Sequence, residues 1–361
     1  MDHQNHVESI GKRPLGTDKK SPARFKRLGF FALLIVLGIA LFSLRDSLGS
    51  TNVNELSGMA GGAAEAATAT DLSTSTPSPD PTATTPPTIT LTLTPTPALG
   101  IGSSQIRASD GMTMLYVPAG SFTMGLAVEA ALAECVITRG TCEAIWFADI
   151  NPPHLVELSA FWMDQTEVTN AMYALCVGAG VCSPPRMKES YTVKDYYENP
   201  AYADYPVVFI PWKQANAYCE WAGARLPSEA EWEKAARGPD GRLYPWGEAR
   251  PECALANINP FNDSACVEDV SAVRSYPNGQ SPYQIFDMVG NVAEWVNDWY
   301  NPAYYANSPA QDPQGPAEGM AKILRGGSWY TDEDYANAAY RYKQDPRYYY
   351  GFTGFRCAAS E

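Results

Sequence analysis

Eight cysteines, all between Cys135 and Cys357, are the most reactive side chains of this 361-residue chain. Thiols can hold soft metals, act as nucleophiles or pair as disulfides, and their spacing separates these uses. No C-x2-C pair occurs, which argues against a structural metal cluster. An even count in a part of the chain that reads as exported fits disulfides. Nearest-neighbour spacing suggests Cys135 with Cys142, Cys176 with Cys182 and Cys253 with Cys266, each closing a short loop. Spacing alone leaves on the order of a hundred connectivities open. Histidine chemistry is limited by number: His3 and His6 precede an apolar span, and His154 stands alone after it beside Pro152 and Pro153. Counting excludes an iron site of three histidines, and His154 reads as a packing or surface residue. Ser328 and His154 have the residue types of a Ser-His-Asp triad, but no nucleophile-elbow sequence accompanies them.

The elements that must position these groups are bounded by composition. The chain has 26 Lys plus Arg against 40 Asp plus Glu, a net charge of −14. Residues 1–45 carry eight basic and three acidic side chains, which leaves −19 on the remainder and excludes nucleic acid as a partner. Leu28 to Leu44 is an uncharged, mostly apolar run, about 26 Å long as a helix and long enough to span a bilayer. Lys12, Arg13, Lys19, Lys20, Arg24, Lys26 and Arg27 precede it, so the positive-inside rule puts the N-terminus in the cytoplasm. A cleaved signal peptide is the competing reading; the run is longer than a usual h-region and no A-x-A site follows before Arg45. Between Asp71 and Pro97, 20 of 27 residues are Pro, Thr or Ser, the composition of an extended stalk. The expected plan is a cytoplasmic basic tail (1–27), a transmembrane helix (28–44), an extracytoplasmic linker (45–110) and one domain (111–361). This describes a single-pass protein of the cell membrane.

Within that domain, TMLYVPAGSFTMG, bounded by Gly111 and Gly125, reads as a strand and turn, and HLVELSAFWMD as a second strand. Val168, Met172 and Leu175 recur at helical spacing before Gly178 and Gly180, and WKQANAYCEWAG reads as a short helix ended by Gly223. LPSEAEWEKAARGP carries the sharpest local signal: Ser228 and Glu231 make a capping box, and Gly238 with Pro239 stop the helix. Turns, short strands and aromatic clusters follow, so the class is α+β with much irregular structure.

The strings VPAGSFTMG, FWMDQTEVTN, RLPSEAEWEKAARG, YPWG, DMVGNVAEW, RGGSW and GFRCA occur in an order that resembles the formylglycine-generating enzyme (sulfatase-modifying factor) family. The resemblance covers about residues 111–361 and implies a C-type-lectin-like fold. The family's active members oxidise a sulfatase cysteine with molecular oxygen and a copper ion held by two cysteines that closely follow RGGS. Here WYTDEDYANAAYRYKQDP follows Arg325-Gly326-Gly327-Ser328. Thr331 stands at the first copper-ligand position, and Ala336, or Ala339 with another gap placement, at the second. Neither residue type replaces the soft sulfur that selects Cu(I), so no copper is expected and the oxidase chemistry reads as lost.

The resemblance also implies a disulfide between Cys219 and Cys357. It implies calcium held by Asp287, the carbonyls of Gly290 and Val292, and Glu294; a hard cation of six to eight oxygens suits a tight turn that aims carbonyls and carboxylates inward. A second calcium site would start at Asn257 and the Ile258 carbonyl, with Asp263, Glu268 or Asp269 as its acidic ligand. Near RGGS the family receives an extended peptide, which makes Arg325, Ser328, Trp329 and Tyr330 the expected groove in a C-terminal third rich in Tyr and Trp. Arg325 and Arg341 can instead hold loops through charge-assisted hydrogen bonds. The function expected is a calcium-stabilised, non-catalytic module that binds an extracellular peptide or glycan. The alternatives are a formylglycine-generating oxidase with a divergent site and a purely structural envelope protein.

Overall fold

The computed structural model describes residues 98–260 and 264–361, so the basic tail, the Leu28–Leu44 span, the Pro/Thr/Ser-rich run to Pro97 and Asp263 lie outside the described residues. Among the described residues no helix is long and apolar enough to cross a membrane. The fold begins before residue 111. Strand β1 (Ser104–Ile106) pairs antiparallel with β2 (Thr113–Val117), and the Arg107 guanidinium between them is buried against Asp110 (2.7 Å) and Asp164 (2.6 Å). The β1 side chains are exposed, so no apolar pattern announces this strand.

Each of the two strands expected from sequence is a pair. Thr113–Met124 breaks at Pro118 into β2 and β3 (Gly120–Met124), and His154–Asp164 breaks at Ser159 into β4 (His154–Leu158) and β5 (Phe161–Asp164). The halves serve different sheets: β2 and β5 lie between β1 and β10 (Ala358–Ser360), whereas β3 pairs only with β4. A third sheet has the order β8-β7-β6-β9, from Ala293–Trp299 (β6), Lys322–Arg325 (β7), Tyr342–Gln344 (β8) and Thr353–Gly354 (β9).

Four α-helices are described. Helix α1 (Val128–Arg139) has no counterpart in the sequence reading, because it buries only Ala131 and Cys135 and shows no apolar stripe. Helix α2 (Asn170–Gly178) starts two residues after Val168, and the Thr169 hydroxyl before it caps Met172 N. Helix α3 (Trp212–Trp221) and helix α4 (Glu229–Arg237) lie where expected, and α4 has the Ser228/Glu231 capping box. All eight cysteines are paired: Cys135–Cys142, Cys176–Cys182, Cys253–Cys266 and Cys219–Cys357. The last pair ties α3 to the start of β10.

Every residue of α4 is buried, including three glutamates, a lysine and an arginine. Ions without water must be paired, and the surrounding chain supplies each partner. Lys234 Nζ donates to the carbonyls of Pro118 (2.7 Å) and Gly120 (2.8 Å), which fixes the β2–β3 turn. Arg237 donates to the carbonyls of Gly125, Gly241 and Arg242 and to Glu233. The Glu233 carboxylate also accepts from Gly125 N (2.7 Å) and Arg325 Nη2 (2.6 Å). Glu229 accepts two bonds from Arg341 (2.7 and 3.0 Å) and a longer one from Arg325 (3.2 Å). Trp232 Nε1 donates to Glu294 of β6 at 2.7 Å. The apolar core wraps this helix with Leu115, Phe122, Val156, Phe161, Met163 and Ile323.

Two expectations follow from the network. Glu233→Gln leaves two buried guanidiniums without their shared carboxylate and should cost about 3 kcal/mol or more, read as a lower urea midpoint; a loss below about 1 kcal/mol would contradict the network's role. Asp298 in β6 accepts from the first helical N–H of α4, Glu229 N, at 2.8 Å. Burial, and then the nearby Glu229, push Asp298 up to about 8. Its folded value lies above the ordinary value of about 4, so the fold favours the protonated form. The stability this gives is complete below about pH 4 and is lost as pH rises through about 8. Asp298→Asn should therefore flatten the decline in melting temperature between about pH 5 and pH 8, and equal slopes in the two proteins would count against this assignment.

Candidate functional site

The RGGS segment leaves β7 and turns sharply. A Cβ on Gly326, at φ +87°, would lie 2.9 Å from the Met288 carbonyl and 3.1 Å from the Trp232 ring, so only glycine lets β7 pass between α4 and the 287–291 turn. Arg325 is buried beneath this turn on Glu229 and Glu233 and also donates to the carbonyls of Ala338 and Ala339. It holds the loop, as Arg341 does, and lines no groove. Ser328 is buried too; its hydroxyl shares a 2.8 Å hydrogen bond with the Thr331 hydroxyl.

The residues expected at the copper-ligand positions are all engaged in the fold. Thr331 is engaged by Ser328, while Ala336 and Ala339 are packed in the core. No thiol is free to join them, since every cysteine is in a disulfide. The donor set does not fit copper. The segment is further covered by an arm made of α1 and the turn Ala144–Ile150, closed by Cys135–Cys142. Arg139 at its end donates to both Asp334 oxygens (2.5 and 2.9 Å) and to Asp332, and lies over the Tyr335 ring at 5.1 Å. Arg250 adds a 2.7 Å pair with Glu333.

Beneath RGGS lies the DMVGN turn. Asp287, Gly290 and Asn291 all have positive φ, and Gly290 N donates to the Gly326 carbonyl at 3.0 Å. Asp287 accepts from Arg274 N (2.8 Å) and burial pushes it up to about 6. Glu294 receives two bonds from Arg356 (2.7 Å each) besides that from Trp232. The Val292 side chain packs with Val208, Val270 and Trp329. Of the second expected set, the Ile258 carbonyl accepts from Cys266 N at 3.0 Å, and Asn257 Nδ2 donates to the Asp269 carbonyl at 2.9 Å. The Asp269 carboxylate is taken up by Ser190 Oγ (2.6 Å), Thr192 N and Thr192 Oγ1 (2.7 Å each), so it anchors a loop; Glu268 is exposed.

One residue of this region escapes sequence reading. Glu167 is fully buried and accepts from Asn291 Nδ2 at 2.9 Å. Burial, and then Asp287, raise its pKa well above the ordinary carboxylate range. Its one sequence signal is an acidic residue inside TEVTN, directly before a helix cap. Three buried carboxylates, Glu167, Asp287 and Glu294, lie in this region, and of them Glu294 pairs with the buried Arg356 guanidinium at 2.7 Å. Carboxylate, amide and backbone oxygens are the donors that a hard cation takes. Among the described residues, no three His, Cys, Asp or Glu side chains converge as a ready metal cluster, so a cation would draw on amide and backbone oxygens as well.

The aromatic residues divide into core and surface. Trp329, expected in a groove, is only 4% exposed and packs on Val270, Val292 and Tyr196. Outside it runs a chain of rings: Tyr330 stacks on Phe352 (5.3 Å), Phe352 on Tyr350 (5.0 Å) and Tyr350 on Tyr348 (6.4 Å). Tyr191 at one end is 66% exposed and Tyr348 at the other 54%. Tyr191 lies 6.5 Å from Tyr330. His154 packs edge-on against Tyr305 at 4.9 Å, the packing role expected of it.

Comparison with known proteins matches residues 103–361 to the model of the sulfatase-modifying factor enzyme 1-like domain. The chain is 38% identical over 236 residues to a serine/threonine-protein kinase pkn1 of Chlamydia pneumoniae, covering 61% of this chain and 36% of that one. It is 35% identical over 257 residues to a formylglycine-generating enzyme of Streptomyces coelicolor, covering 57% of this chain and 80% of that one. The chain therefore spans about a third of the kinase and four fifths of the enzyme. Among solved structures, PvdO from Pseudomonas aeruginosa superposes with a TM-score of 0.58 at 24% identity, covering 73% of this chain and all of that one, a likeness of fold.

Proposed function

Because the chain belongs to the sulfatase-modifying factor enzyme 1-like family, we propose that it uses the family fold for recognition, without oxidase chemistry. The observation that carries this reading is that no cysteine lies between Ser328 and Cys357, in a domain whose eight cysteines are all in disulfides. Cu(I) is held by thiolates, and a hydroxyl or methyl does not substitute. Similarity to a third of a chlamydial protein named as a kinase supports a domain that is appended to other functions, since one fold serves many activities.

The domain is held outside the cell by the Leu28–Leu44 anchor and set off from the membrane by the Pro/Thr/Ser-rich stalk, with the basic tail in the cytoplasm. Calcium in the DMVGN turn, on Asp287, Gly290, Val292 and Glu294, stabilises the fold. Its ligand is an extracellular peptide or glycan that lies along the rings from Tyr191 to Tyr348, which offer flat apolar surface with polar hydroxyl edges.

Thiol titration of the unfolded, unreduced protein should find no reactive cysteine, and a sulfatase-type Cys-x-Pro-x-Arg peptide should remain unconverted. Aldehyde product from the purified protein would return the reading to the oxidase. On a peptide and glycan array, Tyr191→Ala and Tyr330→Ala should each weaken a genuine hit roughly tenfold or more. Hits unaffected by both substitutions would place the ligand elsewhere.

A further inference from the structure

We propose that the cavity between residues 183–186 and residues 210–214 receives a peptide carboxylate, with Arg186 as the group that pairs with it. The inference rests on the recognition reading above and deepens it by naming a peptide with an acid group as the ligand.

The cavity has a volume of about 290 Å³, enough for one residue and too small for a long chain. Pro184, Pro185 and Pro211 wall it and bring no N–H, so its polar side chains are those of Ser183, Arg186 and Gln214. Gln214 Oε1 accepts from Ser183 N (3.0 Å) and Tyr173 OH (3.2 Å), which fixes the amide and leaves Nε2 without a hydrogen-bond partner. Eleven of the twelve arginines among the described residues hold a carboxylate or, for Arg274, the Gln165 amide oxygen. Arg186 is the exception: its guanidinium has no hydrogen bond, ion pair or ring contact. Lys213, between Pro211 and Gln214 in the chain, is exposed and also without a partner.

The unused groups are donors, and a carboxylate needs only donors. The planar fork of an arginine matches its two oxygens, and the proline walls suit an apolar stem behind them. A sugar acid would bring a ring of hydroxyls that need partners as well, and apart from Ser183, Arg186 and Gln214 the side chains lining the cavity are apolar. The cavity is also tied to the row of rings. Arg186 N donates to the Phe209 carbonyl (3.3 Å), Phe209 N donates to the Tyr350 carbonyl (3.0 Å), and the Phe209 ring lies 6.5 Å from Tyr349. Phe209 has φ +59°, a conformation that a bulky residue rarely adopts and that concentrates where a fold clamps a ligand. The Cys176–Cys182 disulfide holds the chain immediately before Ser183.

The test is an array of matched peptides, each with Glu or Gln at one position and with a free or amidated C-terminus, probed with the purified full-length protein. Wild type should bind a charged form roughly tenfold or more tighter than its neutral match. A preference for Glu assigns the cavity to an acidic side chain, and a preference for the free terminus assigns it to a C-terminal carboxylate; either supports the inference. Arg186→Gln should lose the discrimination and Arg186→Lys should recover part of it. Both variants should keep the wild-type melting temperature, because the guanidinium has no partner in the fold. Equal binding of charged and neutral forms by wild type, or discrimination that survives Arg186→Gln, overturns the inference; recognition along the rings stands if Tyr330→Ala still weakens the same peptides. Binding to glycans and to no peptide overturns it too, and binding to neither overturns both readings.

Discussion

Helix α4 buries five charged side chains in the domain interior, and this burial constrains everything near it. Each charge has to find a partner at a fixed distance, because an unpaired ion in a low-dielectric interior costs far more than a surface one. The partners come from chain segments far apart in sequence. The β2–β3 turn offers carbonyls to Lys234, β7 and the segment before β8 offer Arg325 and Arg341 to the glutamates, and β6 offers Asp298 and Glu294. The motif strings that look independent in one dimension are therefore contacts of a single electrostatic assembly.

That assembly decides what the RGGS region can do. Arg325 and Arg341 are spent on α4, and Trp329 is spent on a core with Val270 and Val292. The loop after Ser328 is then clamped from outside by the disulfide-closed arm through Arg139, whose carboxylate partners Asp332 and Asp334 lie in that loop. Outside this core, Tyr330, Phe352, Tyr350 and Tyr348 form a row of stacked rings.

The pocket around Asn291 follows a different logic. The α4 charges share partners, Glu233 with Arg237 and Arg325 and Glu229 with Arg341 and Arg325, whereas Glu167 Oε2 and Asn257 Oδ1 have no hydrogen-bond partner. Interiors tolerate polar atoms that are satisfied and penalise those that are not.

What the sequence by itself determined is local or countable. The Ser228/Glu231 cap, the stop at Gly238 and the absence of any cysteine between Ser328 and Cys357 need only neighbouring residues or a tally; spacing suggested the three short cysteine loops without fixing them, and family resemblance added the Cys219–Cys357 pair. Helix α1 was illegible because it buries two residues and carries no stripe, and the splitting of two apparent strands was illegible because each half faces a different sheet. The complete burial of α4, the withdrawal of Trp329 and Arg325 from the surface, and the meeting of Glu167 with Asn291 across 124 residues were decided by tertiary structure. The physical reason is that periodicity reports where apolar residues face. A polar residue enters the interior only when a partner from elsewhere in the chain arrives there with it.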